Sequence, residues 1–339
     1  MSARAAASDA ASYLHIYLGP FLQHLERPDV TDIYINRPGE LWVETLGGAA
    51  ERHNIPEITD AQLWRLARQI ASITHQGISR EHPLLAATLP DGARVQIVAP
   101  PATRGAMVLA IRKHVSADLR LDDYAAQGAF AATRGSGQLQ AADAELGRLH
   151  DAEDWQAFLR AAVRARKTIV VAGGTSTGKT TFLNALLREI DPRERIILIE
   201  DTPELVLRHD NAAGLVAVRG ALGEASVSTD DLLVSSLRLR PDRIILGELR
   251  GAEAFTFLRA INTGHPGSLT TVHADTPERA IEQLALMVMQ SRAQMRREDV
   301  VRYIGTVVDV FVQLERSSGT RRVSQIQWSG FTANNCAKQ

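Results

Sequence analysis

The sequence predicts an α/β protein in two parts, an N-terminal α+β region and a C-terminal region built on a parallel sheet. Three observations carry this reading. Helical patterns and short strand-like runs separated by turn signals share residues 1–115. From "TIVVAGG" to about residue 300, continuous apolar runs alternate with helical patterns, as strands buried on both faces require. Between them, residues 116–150 are rich in Ala, Gly, Gln and Ser and read as a linker with some helix in it. The expected division is therefore 1–115, 116–150 and 151–339, with no internal repeat.

Taken in order, Leu14, Leu18, Phe21, Leu22 and Leu25 recur at helical spacing. That face lacks the Lys and Arg that a membrane-surface helix prefers, so packing in a core or at an interface is expected. "TDIYINRPGELWVE" reads as strand, turn and strand, with Asn36-Arg37-Pro38-Gly39 as the turn. Thr59 and Gln62 form a candidate capping box for a helix carrying Leu63, Leu66, Ile70 and Ile73. "ARVQIVAPP", stopped by Pro100-Pro101, and "AMVLAIRKH" are two further strands. After the linker, Trp155, Phe158, Leu159 and Val163 mark an amphipathic helix, and "VVDVFVQLERSSGTRRVSQIQW" closes the chain as a hairpin through Ser317-Ser318-Gly319.

Composition narrows the function. A net charge of −1 supplies no global basic field for nucleic acid, and no aromatic–basic interleaving suggests a single-strand channel. The single Cys336 cannot form an internal disulfide or a tetracysteine zinc site, and fits a reducing cytoplasm. No apolar run approaches the ~18 residues of a spanning helix, and the first residues carry no signal-peptide core. Lysine occurs only at Lys113, Lys167, Lys179 and Lys338.

One of those four sits in "GGTSTGKTT", that is Gly173, Gly174, Thr175, Ser176, Thr177, Gly178, Lys179, Thr180 and Thr181. Strand before, helix after and G-x-x-x-x-G-K-[ST] between are the requirements of a phosphate loop. Glycines let backbone N–H groups curl round phosphates, Lys179 is a compact charge for the terminal phosphates, and the Thr180 hydroxyl suits Mg²⁺. ATP and Mg²⁺ are the expected ligands. None of the four lysines lies in the Asn-Lys-x-Asp motif a GTPase would need.

Two strands end in acids: "RIILIEDTPEL", with Glu200, Asp201 and Glu204, and "RPDRIILGELRG", where Gly247 takes the usual acid position and Glu248 follows one residue late. In an open parallel sheet both ends face the phosphate loop. NTP hydrolysis needs one acid on the metal side and one to orient water; the spacing leaves open which of Glu204 and Glu248 does which. "NTGHPGSLTTVHA" brings His273 to the end of another strand, as a candidate for the terminal phosphate. Arg94 and Arg112 lie on strands of the first region.

Together, "GGTSTGKTTFLNALL", "IEDTPEL", "LRLRPDRIILGELRG" and "NTGHPGSLTTVHADTPERAIEQL" resemble the Walker A, Asp box, Walker B and His box of the type II/type IV secretion traffic ATPases, most similarly the VirB-type branch. "VTDIYINRPGELWVE" and "DGARVQIVAPP…LAIRK" resemble that family's N-terminal domain. The resemblance implies a PAS-like N-terminal domain linked to a RecA-like P-loop domain, and a homohexameric ring that uses ATP for substrate export or pilus assembly. It implies a cytoplasmic protein, or one peripheral on the inner membrane, working with other ATPases and inner-membrane components of a secretion channel, and no sequence-specific nucleic-acid binding. By position it assigns phosphate and Mg²⁺ to Lys179 and Thr180, and metal and water to Glu204 and Glu248. It assigns the γ-phosphate to His273 and closure onto the nucleotide to Arg94 and Arg112, with Arg240 and Arg250 as contacts across subunits. A pilus or tight-adherence assembly ATPase without a zinc module is the alternative.

Overall fold

A computed structural model describes residues 3–113, 120–133, 141–218, 223–291 and 295–329, with side chains from residue 14 onward. Cys336 lies outside them. The first helix, α1 (Ala3–Leu25), buries Leu14, Leu18 and Phe21. Strands β1 (Val30–Ile35) and β2 (Glu40–Thr45) flank the expected turn, where Gly39 takes a φ of 82° that only glycine adopts readily. Two short strands escaped the sequence reading, β3 (Glu51–Asn54) and, after α2 (Asp60–Ile73), β4 (Leu84–Thr88). Only half of the expected capping box at α2 forms: Thr59 accepts from the Gln62 backbone, while the Gln62 side chain donates to the Tyr17 carbonyl at 3.0 Å and ties α2 to α1.

With β5 (Arg94–Val98) and β6 (Val108–Arg112), these strands form an antiparallel sheet of order β3-β2-β1-β6-β5-β4. Alternation gives it two buried faces. Ile33, Ile35, Leu109 and Ile111 face α1 and α2, whereas Tyr34, Val108 and Ala110 join a core shared with the C-terminal sheet.

Residues 121–126 form the short helix α3 (Leu121–Ala126). The expected linker does not extend to 150. Residues 141–151 form α4 (Ala141–Asp151), whose Leu146 is fully buried beside Phe158 and Trp328 and whose Asp143 pairs with Lys167 at 2.6 Å. A single buried leucine in an Ala-rich segment anchors this helix, so its composition resembles linker.

The C-terminal region continues with α5 (Trp155–Arg164), β7 (Ile169–Gly173), α6 (Lys179–Leu187), β8 (Ile196–Glu200), β9 (Ala212–Val216) and α7 (Thr229–Ser236). Then follow β10 (Arg243–Leu249), α8 (Glu253–Asn262), β11 (Leu269–Val272), α9 (Pro277–Met289), α10 (Arg297–Val307), β12 (Val310–Ser317) and β13 (Thr320–Trp328). The strand order is β13-β12-β7-β11-β10-β8-β9, parallel throughout except for the antiparallel β13. The closing hairpin turns through Ser318 and Gly319 with φ of 50° and 82°, the handedness two-residue hairpins favour.

The two sheets are joined by polar as well as apolar contacts. Arg195, fully buried, stacks 4.2 Å from the Tyr34 ring and donates to Asn36 Oδ1 at 2.8 Å, to Asn211 Oδ1 at 2.5 Å and to the Leu239 carbonyl at 2.9 Å. Burial pushes its pKa down to about 10, so the guanidinium remains charged at neutral pH. Asn36 comes from the β1–β2 turn and Arg195 directly precedes β8, so this cluster fixes one region on the other.

Candidate functional site

The phosphate loop leaves β7 and enters α6 as expected. Gly178 caps α6 in the left-handed region at φ 93°, and a Cβ there would meet Arg321 Cδ at 3.2 Å. The loop opens on a cleft of about 470 Å³, within the range of small-molecule sites, walled by the carboxyl ends of β8, β10 and β11.

Lys179 is 9% exposed, and its Nζ lies 3.0 Å from the Gly173 carbonyl, 3.2 Å from that of Gly174 and 4.0 Å from Glu248 Oε1. Burial holds its ammonium below the ordinary lysine value, with the Glu248 carboxylate acting in the opposite sense. His273 Nδ1 lies 3.3 Å from Lys179 Nζ, and His273 Nε2 lies 2.8 Å from Glu248 Oε1. One tautomer satisfies both contacts: Lys179 donates to Nδ1 and Nε2–H donates to Glu248. Arg250 Nε donates to the other Glu248 oxygen at 2.5 Å, and its Nη1 donates to Asp201 at 3.2 Å. Arg250 thus lines the cleft of its own chain.

The late acid has a structural cause. Between Leu246 and Leu249 the pairing of β10 with β11 slips: Leu246 faces Thr270 and Leu249 faces Val272, so β10 carries one extra residue. That β-bulge re-aims Glu248 toward the cleft, as bulges beside functional sites commonly do. Residue 247 packs tightly on β8: a Cβ there would meet Glu200 Cγ at 3.0 Å.

On the other wall, Thr180 Oγ1 donates to Glu204 Oε2 at 3.1 Å. Glu204 is positioned by Glu200, whose Oε1 accepts from the backbone N–H groups of Glu204 at 2.9 Å and Leu205 at 2.8 Å. A hydroxyl and a carboxylate beside the phosphate loop form the hard oxygen donor set that Mg²⁺ prefers. The observed Thr180–Glu204 contact places both donors within reach of one ion, so the residues present fit it.

Of the predicted residues, Lys179, Thr180, Glu204, Glu248 and His273 therefore meet in one cleft with the loop from Thr175 to Thr181, and Gly173 and Gly174 turn their carbonyls onto Lys179. Arg94 and Arg112 do not join them. They face each other across β5 and β6 and line a separate pocket with Gln76, Thr88, Arg238 and Arg240. Arg240 pairs with Glu44 of β2 at 2.6 Å. The sequence reading missed Arg321 of the closing hairpin as a wall of the cleft. It named Glu200 in the acid cluster but not its role in holding Glu204. Nothing local in the sequence marks either.

A phosphate loop after β7, His273 after the neighbouring β11, and acids at the ends of β10 and β8 beyond it form the cleft of a P-loop nucleotide-binding protein. Comparison with known proteins agrees. The family model "Type II/IV secretion system protein" matches residues 18–337, and the chain belongs to that family. It is 37% identical over 333 residues to the type IV secretion system protein VirB11 of Bartonella henselae, covering 94% of this chain and 93% of the relative. Identity is 41% over 331 residues to the PtlH homolog of Bordetella bronchiseptica, covering 95% and 96%. The crystal structure of the VirB11 ATPase from the Brucella suis type IV secretion system, in complex with sulphate, superposes with a TM-score of 0.88 at 39% identity, covering 94% of this chain and 99% of that one.

Proposed function

We propose that this chain is the ATPase subunit of a bacterial type IV secretion system, working as a homohexameric ring on the cytoplasmic face of the inner membrane. There it would use ATP hydrolysis to drive substrate export or pilus assembly, alongside the other ATPases and inner-membrane components of the channel. The observation that carries the reading is the meeting of Lys179, His273 and Glu248 opposite the Thr180–Glu204 pair in one cleft. No helix among the described residues is long and apolar enough to cross a membrane.

Within that cleft, the loop amides and Lys179 bind the phosphates. Thr180 and Glu204 would hold Mg²⁺, which would neutralise charge on the phosphate oxygens. Glu248 orients the attacking water and takes its proton, with His273 fixing the carboxylate and reaching the γ-phosphate. Arg94 and Arg112 line a separate pocket of their own chain; we assign them to closing onto a nucleotide, that of an adjacent subunit in the ring, where they would stabilise charge that grows during transfer. Residues 1–115 and 151–339 supply the two working parts, with α4 assigned to the second.

Phosphate release by the parent and by Lys179→Ala, measured with particle size in the presence and absence of ATP, tests the reading. The parent should hydrolyse ATP as a hexamer and the variant should lose turnover; equal turnover in the two overturns it.

A further inference from the structure

Arg104 lies outside the cleft, in the connection between β5 and β6, yet it reaches the cleft's foundations. Residues 102–104 add one antiparallel rung to β9, the outer edge of the C-terminal sheet. Thr103 faces Leu215, Arg104 N–H donates to the Gly214 carbonyl at 2.9 Å, and Val216 N–H donates to that of Ala102 at 3.0 Å. An N-terminal segment thus closes an edge strand that would otherwise stand open.

The side chain carries the connection inward. Arg104 Nη1 donates to the Leu205 carbonyl at 2.8 Å, and the guanidinium forms an ion pair with the buried Glu200. Glu200 in turn holds the backbone of Glu204 and Leu205. Residue 214 leaves room for this: a Cβ there would meet Arg104 Cδ at 2.4 Å.

We infer that Arg104 is a positioning residue, tying the N-terminal region through Glu200 to the Glu204 carboxylate on the metal side of the cleft; the inference rests on the ATPase reading above. The β5–β6 hairpin that leads into this stitch carries Arg94 and Arg112 at its opposite end. One hydrogen-bonded hairpin therefore joins the arginine pair assigned to a neighbour's nucleotide with the acid that serves this chain's own. A shift of the hairpin at either end moves the other.

The test uses the full chain, with Arg104→Lys, which keeps the charge but not the forked reach, and Gly214→Ala, which displaces the side chain and keeps every charge. Binding of a fluorescent ATP analogue is measured in EDTA and in Mg²⁺, alongside hydrolysis. Both variants should bind as the parent does in EDTA and lose about three- to tenfold of the tightening that Mg²⁺ gives. Turnover should fall about tenfold, and KM for ATP measured in Mg²⁺ should rise by about the same three- to tenfold as the binding loss. A merely structural role would lower the active fraction without moving the Mg²⁺ dependence. Parent-like Mg²⁺ dependence in either folded variant overturns the inference, and if Arg104→Lys does not fold, Gly214→Ala decides. Lys179→Ala runs in parallel: its retained turnover would sink the ATPase reading, whereas its loss beside parent-like Arg104→Lys and Gly214→Ala sinks the coupling alone.

Discussion

Strands β8 and β10 lie side by side, end in acids at the same edge of the sheet, and use those acids differently. At the end of β8 the register is regular and Glu200 is buried, ion-paired and occupied by two backbone N–H groups. It builds the turn that presents Glu204. At the end of β10 the bulge delivers Glu248 into the cleft itself, against Lys179, His273 and Arg250. An acid at a strand's carboxyl end is thus structural or chemical according to whether its oxygens face backbone or cleft side chains, and the one-residue delay is the means by which β10 brings its acid into the cleft.

The contrast can be broken experimentally, most severely at β10. Glu248→Gln should lower turnover by about 10²–10⁴-fold while ATP binding holds, because the proton acceptor is removed and the isosteric amide oxygen can still accept from His273 or Arg250. Rapid-quench hydrolysis with separate binding measurements would show it, and a parallel loss of ATP affinity would move Glu248 to the metal side. Next in size, Glu204→Gln should weaken Mg²⁺-dependent nucleotide binding by about 10–100-fold and leave Mg²⁺-free binding alone. Titration calorimetry with and without Mg²⁺ distinguishes the two acids directly.

Glu200→Ala acts on stability instead. It orphans the Glu204 and Leu205 amides and leaves Arg104 half-buried without its partner, so denaturant unfolding should show a loss of about 3 kcal/mol. Glu248→Ala should cost much less in the same experiment, and equal losses would erase the distinction between the two strand ends.

The smallest effect is a pH dependence shared by both strand neighbourhoods. His209, in the β8–β9 connection, and His265, before β11 with its Nδ1 3.0 Å from the Pro241 carbonyl, both have pKa values lowered chiefly by burial. The unfolded chain then binds protons that the folded chain resists. The stability these groups contribute is complete above their ordinary value of 6.5 and is lost as pH falls below it. Melting temperature should drop between pH 7.5 and 5.5, and His265→Asn should flatten that drop; an unchanged slope in the variant would assign the dependence elsewhere.

Legibility in the sequence followed the same division between local and distant causes. The phosphate loop, the acids and His273 were readable because their chemistry lies in contiguous residues at strand ends. The bulge was visible only as a missing acid at Gly247, since an extra residue in one strand becomes a bulge only against its partner. β3 offered no apolar alternation, its four residues being Glu51, Arg52, His53 and Asn54. Arg94 and Arg112 were correctly placed on strands, but nothing local in those strands determines which nucleotide they face. Arg104, Gly214 and Arg321 act across long stretches of chain, and no periodicity records such pairings.

The Arg195 cluster has a consequence for anyone who would cut the molecule in two. Its guanidinium is held by groups from both halves, so separating the halves strips it of Asn36 and the Tyr34 ring and opens it to water on one fragment, leaving the turn of Asn36 bare on the other. The apolar faces of Tyr34, Val108 and Ala110 would be laid open at the same stroke. The halves are therefore poor spare parts: each, expressed alone, should be prone to self-association, and each should be rescued by supplying the other in trans.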